Sequence, residues 1–269
     1  MIAAIRGYLE ENAGALTAAF SMDEAKPYLL PGTQLPQGSM VILAAVPYFC
    51  GHTAGEISKY ARGRDYHRVL RSLFAGAISS TGAEKQFSAS YTDVSPFDEV
   101  RLAAAAGLGK IGENGLLLTE PYGSYVFLGE ICGDFSGEVA LLREPSYCDR
   151  CGACRRACPT QGSGCLSEIT QRRGELTVEE ESLMRRYKTA WGCDICQDVC
   201  PANRNVQKTK LPAFCEELVY RFDADELSGL SGRAIERKYV DRAFIWRGGN
   251  VVKRNAAILC ESDADNAHS

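Results

Sequence analysis

The sequence predicts an α+β protein built from three consecutive regions. Residues 1–145 alternate strand-like and helix-like apolar patterns, residues 146–205 hold most of the cysteines, and residues 206–269 carry helical periodicity. Across 269 residues, a hydrophobic content of 45% is enough for ordinary cores. The net charge of −4 gives no global attraction to polyanions, so a nucleic acid would have to meet a local basic patch. The longest apolar stretch, "MVILAAVPYF" (40–49), is too short to span a bilayer, and Arg6 followed by Glu10 and Glu11 does not read as a secretory signal. A cytoplasmic protein with no membrane segment is expected.

In the first region "SMVILAAVPY" (39–48) predicts a buried strand, and "HRVLRSLFAGAIS" (67–79) has the apolar spacing of a helix. "EVRLAAAAG" (99–107) reads as a helix closed by a glycine, and "SYVFLGEICG" (124–133) as a strand. This alternation points to an N-terminal α/β domain. In the last region "DADELSGLSGRAIERKYV" and "NVVKRNAAILCE" carry amphipathic spacing, the second opening on Asn250 as an N-cap. The closing "SDADNAHS" reads as a frayed polar tail.

Eight of the twelve cysteines lie between Cys148 and Cys200. With no export signal, clustered thiols point to metal rather than disulfides. The first run is Cys148-x2-Cys151-x2-Cys154-x3-Cys158-Pro159, the bacterial ferredoxin spacing. Three thiolates on a tight loop reach three irons of one cubane, and the fourth points away to another cluster. The second run is Cys193-x2-Cys196-x3-Cys200-Pro201, one cysteine short, and Cys165 can supply the missing ligand. The expected sets are Cys148, Cys151, Cys154 and Cys200 for cluster one, and Cys158, Cys165, Cys193 and Cys196 for cluster two. C-x2-C pairs also build zinc ribbons, but a four-cysteine run ending in proline, partly repeated, favours a ferredoxin-like domain with two 4Fe–4S clusters. Cys50, Cys132, Cys215 and Cys260 read as buried small hydrophobes.

Gly107-x-Gly109-x-x-Gly112 has the spacing of a dinucleotide loop. Such a fingerprint should follow a strand and open a helix. Here an alanine-rich helix comes first, so a close backbone approach, to a flat group or to the chain itself, is the better reading.

Taken together, "SKYARGRDYHRVLR" (58–71), "DVSP" (93–96), "AAGLGKIGENGLLL" (105–118) and "GSYVFLGEI" (123–131) resemble the epoxyqueuosine reductase family. The "CGACRRACPT" and "GCDICQDVCP" motifs follow in the family's order, with a cysteine between them, and the likeness extends more loosely to "VVKRNAAI" (251–258). The resemblance implies a cobalamin-dependent oxidoreductase in which two 4Fe–4S clusters relay electrons to cobalt. Its reaction reduces an epoxide on the tRNA wobble base and completes queuosine synthesis. It further implies a cobalamin cavity formed by Tyr66, Asp93, Gly107, Gly109, Gly112, Leu117 and Leu128. A low-potential donor such as a flavodoxin or ferredoxin would supply electrons, and the tRNA anticodon stem-loop would be the substrate. Asp65-x-His67 is similar to the motif that gives cobalt a lower histidine in other cobalamin proteins, but Leu70 stands where that motif has glycine, so His67 reads as a cavity-wall residue.

Removing the epoxide oxygen as water needs protons. Asp93, stiffened by Pro96, is the expected catalytic acid, its carboxyl raised by an apolar cavity. Read without the family, it would N-cap the following helix. Asp98 and Glu99 read as first-turn residues complementing the helix dipole. Seven basic residues in 231–260 (Arg233, Arg237, Lys238, Arg242, Arg247, Lys253, Arg254) could meet phosphates or form a solvated face, and Lys59, Arg62, Arg64, Arg68 and Arg71 could neutralise the cobalamin phosphate. A corrinoid reductase acting on a small molecule or reactivating a corrinoid protein, and a ferredoxin with an inert N-terminal domain, stay open as alternatives.

Overall fold

The computed structural model describes residues 1–266, with side chains as far as Cys260. The strands are β1 (Leu16–Ser21), β2 (Met40–Pro47), β3 (Phe87–Thr92), β4 (Lys110–Ile111), β5 (Leu117–Leu118) and β6 (Val126–Gly133). The helices up to the cysteine block are α1 (Ile2–Ala13), α2 (Met22–Ala25), α3 (Lys59–Arg62), α4 (Tyr66–Thr81) and α5 (Glu99–Ala105). Then come α6 (Ala153–Ala157), α7 (Leu166–Gln171), α8 (Val178–Tyr187), α9 (Ile195–Asp198), α10 (Ala224–Ser228), α11 (Gly232–Lys238) and α12 (Gly249–Asn266).

The chain divides into two compact units, each assembled from separated segments. One comprises Met1–Cys50, Tyr66–Gly152 and Pro201–Cys215; the other comprises Gly51–Asp65, Ala153–Cys200 and the chain from Glu216 onward. This differs from three consecutive regions, because 51–65 belongs with the cysteine-bearing unit while 201–215 belongs with the sheet.

In the first unit the sheet order is β1-β2-β6-β3, and every pairing is antiparallel. The unit is therefore α+β in its own right, not an α/β layer of parallel strands. β2 is central and buried over nearly its whole length, which its unbroken apolar run requires. One face of the sheet is sealed by α2 and α5, with Phe20, Val41, Leu43 and Cys132 packed against Leu102 and Ala103. On the other face Gly129 makes room for Phe74 of α4; a Cβ there would stand 2.9 Å from its ring. Leu128, Glu130 and Cys132 share the α5 side by strand alternation.

Cys50 and Cys215, expected as unpaired buried thiols, form a disulfide with S–S 2.06 Å. They are 165 residues apart, and only the return of 201–215 to the sheet brings them together. Cys132 is buried as expected, whereas Cys260 is exposed.

In the second unit, fully buried Trp191 anchors the centre; its indole N–H donates to Tyr60 Oη at 3.0 Å. Buried Asn255 donates to the carbonyls of Thr170 and Ala190, each at 2.7 Å, fastening α12 to two loops. α8 opens on a capping box formed by Thr177 and Glu180. α12 begins at Gly249, so Asn250 lies inside its first turn and does not cap it. The helix runs to Asn266, through much of the tail read as frayed; residues 267–269 lie outside the described residues. No helix among the described residues is long and apolar enough to cross a membrane.

Candidate functional site

The chemistry-bearing turn of the first unit follows β3. Asp93 takes φ 66°, a left-handed conformation uncommon for any residue but glycine or asparagine, and its side chain stands exposed. His67, in the first turn of α4, brings Nε2 to 3.4 Å from Asp93 Oδ2. The ring of Tyr66 stacks on Phe127 at 4.2 Å with an interplanar angle of 5°, and on His67 at 4.0 Å. Tyr48 and Phe214 lie 4.4 and 5.3 Å from Phe127, so an aromatic wall stands beside the carboxyl. The His67 hydrogen bond holds the Asp93 carboxyl below its ordinary value, outweighing partial desolvation, with a further hydrogen bond from Tyr66. The expected upward shift is thus corrected: a hydrogen-bond donor reaches the carboxyl, and donors favour the charged form.

Asp98, not Asp93, caps α5 by accepting from the Arg101 amide at 3.2 Å. Glu99 lies in the first turn of α5 as expected, and burial, aided by the charge of Asp93, pushes its carboxyl up to about 8.

The glycine loop leads from α5 into the β4–β5 hairpin rather than into a helix, which removes the dinucleotide reading. A Cβ on Gly109 would stand 2.4 Å from the Leu118 carbonyl oxygen, and one on Gly112 would stand 2.4 Å from Asn114 Oδ1. Gly109 is therefore demanded by the backbone of its own hairpin, whereas at Gly112 the nearest backbone atom, the Leu116 carbonyl oxygen, stands 3.1 Å away. Gly107, at φ 80° with open space before it, is required by the turn. Leu117, expected on a cavity wall, is 3% exposed in the core behind it, while Leu128 is only partly buried.

In the second unit the cysteines fall at helix boundaries: Cys154 on α6, Cys165 just before α7, and Cys193 and Cys196 around the start of α9. Burial, then the neighbouring Cys196 and Cys165, push the Cys193 thiol up to about 12. Hydrogen bonding to Thr160 holds the Cys158 thiol down.

Many of the basic residues are structural. Lys59 pairs with Asp194 at 3.3 Å and Asp198 at 2.6 Å, and Arg62 donates to the carbonyls of Ile57 and Thr53. Arg242 donates to the carbonyls of Arg62 and Glu217, and Arg254 to those of Arg172 and Gly174. Lys253 closes α10 through Ser228 and Leu230. Arg173, Arg247 and Arg254 together line a cavity of about 490 Å³.

The Asp93–His67 pair beside stacked aromatic rings and the ferredoxin-spaced cysteines fit the class of iron–sulfur oxidoreductases. The family model "Epoxyqueuosine reductase QueG, DUF1730" matches residues 29–91. An epoxyqueuosine reductase of Lactococcus garvieae is 31% identical over 271 residues, covering 92% of this chain and 76% of that protein. One from Synechocystis is 36% identical, covering 67% of this chain and 68% of that protein. The solved epoxyqueuosine reductase of Streptococcus thermophilus superposes with a TM-score of 0.77 at 24% identity, over 96% of this chain and 80% of that one. A crystal structure of epoxyqueuosine reductase with an epoxyqueuosine-modified tRNA-Tyr stem loop superposes at 0.76 and 23% identity. The chain belongs to the epoxyqueuosine reductase family.

The residues missed in the sequence are Glu130, the neutral role of Glu99 and the ring of Phe127. Glu130 left a signal: it is the one acid in the otherwise apolar strand "SYVFLGEICG".

Proposed function

We infer that the chain reduces epoxyqueuosine to queuosine in tRNA, with Asp93 as the acid. Family membership supports the reaction, and the placement of Asp93 on a left-handed turn against His67 and Tyr66 is the observation that carries its role. The conversion consumes two electrons and two protons: the epoxide oxygen leaves as water and a carbon–carbon double bond forms.

The donor sets suit both cofactors. Soft thiolates at ferredoxin spacing suit 4Fe–4S clusters, and the eight cysteines are enough for two. The ring of Tyr66, stacked on Phe127 and on His67 beside an exposed acid, offers an apolar edge against which a corrin could lie. When bound, cobalamin and the clusters supply the reducing electrons. Asp93 and His67 hold a proton between them, and Asp93 delivers it to the epoxide oxygen. Tyr66 and Phe127 exclude water from one side of that transfer. Cavity contacts through Gly107, Gly109, Gly112 and Leu128 belong to this proposal, as do a cytoplasmic setting and a flavodoxin or ferredoxin as donor.

The test is anaerobic reconstitution followed by turnover of a modified anticodon stem-loop. Asp93→Asn should retain about eight irons per chain yet lose roughly 10²-fold or more of epoxide reduction. Normal turnover at full cofactor loading would remove Asp93 from the reaction.

A further inference from the structure

The second unit presents an exposed aromatic ring and an arginine-lined cavity joined by Arg247, and the reaction as derived uses neither. Trp246 is 54% exposed, whereas Trp191, the other tryptophan of the chain, is fully buried. The exposed indole is held in place. Its N–H donates to Gln171 Oε1 at 3.1 Å, and the Gln171 amide donates in turn to Ser167. The guanidinium carbon of Arg247 stands 3.5 Å from the centre of the indole. A cation thus covers one face of the ring, and the exposure leaves the other face to solvent. Arg247 Nε is buried without a hydrogen-bond partner, so packing on the indole, not a bond at Nε, sets the place of this guanidinium.

Arg247 also lines the cavity of about 490 Å³ that Arg173 and Arg254 share, a volume usual for a small-molecule site. Arg173 is exposed and donates through Nε to the Arg247 carbonyl at 3.2 Å. Arg254 is fixed by the carbonyls of Arg172 and Gly174. Asn250 and Val251, in the first turn of the 18-residue helix α12, complete part of the wall and add the positive end of a helix dipole. The acids nearby are engaged. Glu236, in the wall, accepts from the Gly249 amide at 3.1 Å; Glu180 pairs with Arg172, and Glu181 with Arg185. One carboxylate against three guanidinium groups leaves the wall with an excess of positive charge. Cations around one space repel one another, and an anion placed there relieves that repulsion. The planar guanidinium fork matches the oxygens of a phosphate.

We propose that Trp246 and the Arg173–Arg247–Arg254 cavity form a nucleotide clamp, which stacks an unpaired base of the RNA substrate on the indole and holds a backbone phosphate among the arginines. This rests on the reading of tRNA as the substrate. The ring selects among phosphate ligands. A free phosphate makes no use of an indole, and a duplex keeps its bases stacked on one another. An unpaired base in a loop has an open π-face to lay on the ring. Arg247 serves both halves, since it packs on the indole and lines the cavity. Gln171 and Arg247 fix the indole before RNA arrives, so little side-chain freedom is lost on binding. Every base has a π-face, so the clamp adds affinity for a loop without choosing its sequence.

Tryptophan fluorescence and salt-dependent binding test this, with an unmodified anticodon stem-loop RNA as the probe and the whole reconstituted chain as the protein. The stem-loop should quench tryptophan emission, and Trp246→Phe should lose the quench, because Trp191 is buried. The same stem closed as a duplex without a loop should quench far less. Trp246→Ala, at an exposed position, should weaken stem-loop binding by roughly 5- to 100-fold. Arg173→Gln, also exposed, should weaken it and lower the slope of log affinity against log salt by about one. Wild-type affinity in Trp246→Ala, or an unchanged slope in Arg173→Gln, would overturn the clamp. So would a poly-glutamate peptide that quenches at the same concentration as the RNA, which would assign the cavity to an acidic protein. The clamp and the reaction fail separately. A chain that shows the quench and its loss in Trp246→Phe yet leaves epoxyqueuosine unconverted keeps the clamp and loses the reaction. A chain that converts epoxyqueuosine while its Trp246 and Arg173 variants bind RNA like the wild type keeps the reaction and loses the clamp.

Discussion

Asp93 and Glu130 are both carboxyls of the first unit, and their surroundings drive them in opposite directions. Asp93 stands exposed on a turn with a histidine donor at 3.4 Å, and its carboxyl is held low. Glu130 lies fully buried beneath α5, and desolvation holds it far up despite Ser95 in reach. Glu99 links the two, taking an amide bond from the Asp93 backbone and acting on Glu130. The contrast teaches that hydrogen bonding and burial can drive two carboxyls of one unit in opposite directions.

The largest effect that separates the two environments is in the pH dependence of stability. A carboxyl raised from 4.5 to about 8 binds a proton in the folded state that the unfolded chain has lost. Stability from Glu99 is therefore fully present below about pH 4.5 and is lost as pH rises through about 8, with a slope of at most about 1.4 kcal/mol per pH unit. Asp93 has the opposite sign: its contribution is present above the ordinary carboxyl range and lost as pH falls through its lowered value. Urea unfolding at pH 5, 7 and 8.5 measures this, and Glu99→Gln should flatten the upper window. Stability that climbs with pH across that window would contradict the assignment.

A smaller effect sharpens the other end. Asp93 holds φ 66°, a conformation that a Cβ disfavours by about 1 kcal/mol, less the extra chain entropy that glycine loses on folding. Removing that strain offsets part of the stability lost with the His67 contact, so at pH 7 Asp93→Gly should unfold at a higher temperature than Asp93→Ala while both lose epoxide reduction. An Asp93→Gly variant less stable than Asp93→Ala would show that the turn is not strained.

How much of this was legible depends on how far apart the partners lie. β2, α4 and β6 were readable because each is one continuous apolar pattern. The end of α5 was readable from Gly107. The antiparallel order of the sheet was not, since strand direction is set by connections that local periodicity does not encode. The Cys50–Cys215 bond escaped because it depends on a late segment returning to an early strand. The low state of Asp93 escaped because His67 reaches it across 26 positions of sequence, from the first turn of another element. The partners of the basic residues were not legible, because composition counts charges without them; Arg242, Lys253 and Arg254 donate to backbone carbonyls.

The most direct measurement is nucleoside analysis of tRNA from a host that lacks epoxyqueuosine reductase and carries this gene in wild-type or Asp93→Asn form. The account expects queuosine with the wild type, and epoxyqueuosine with Asp93→Asn at equal protein level. Epoxyqueuosine persisting with the wild-type gene would contradict the proposed reaction, and queuosine restored by Asp93→Asn would contradict the acid.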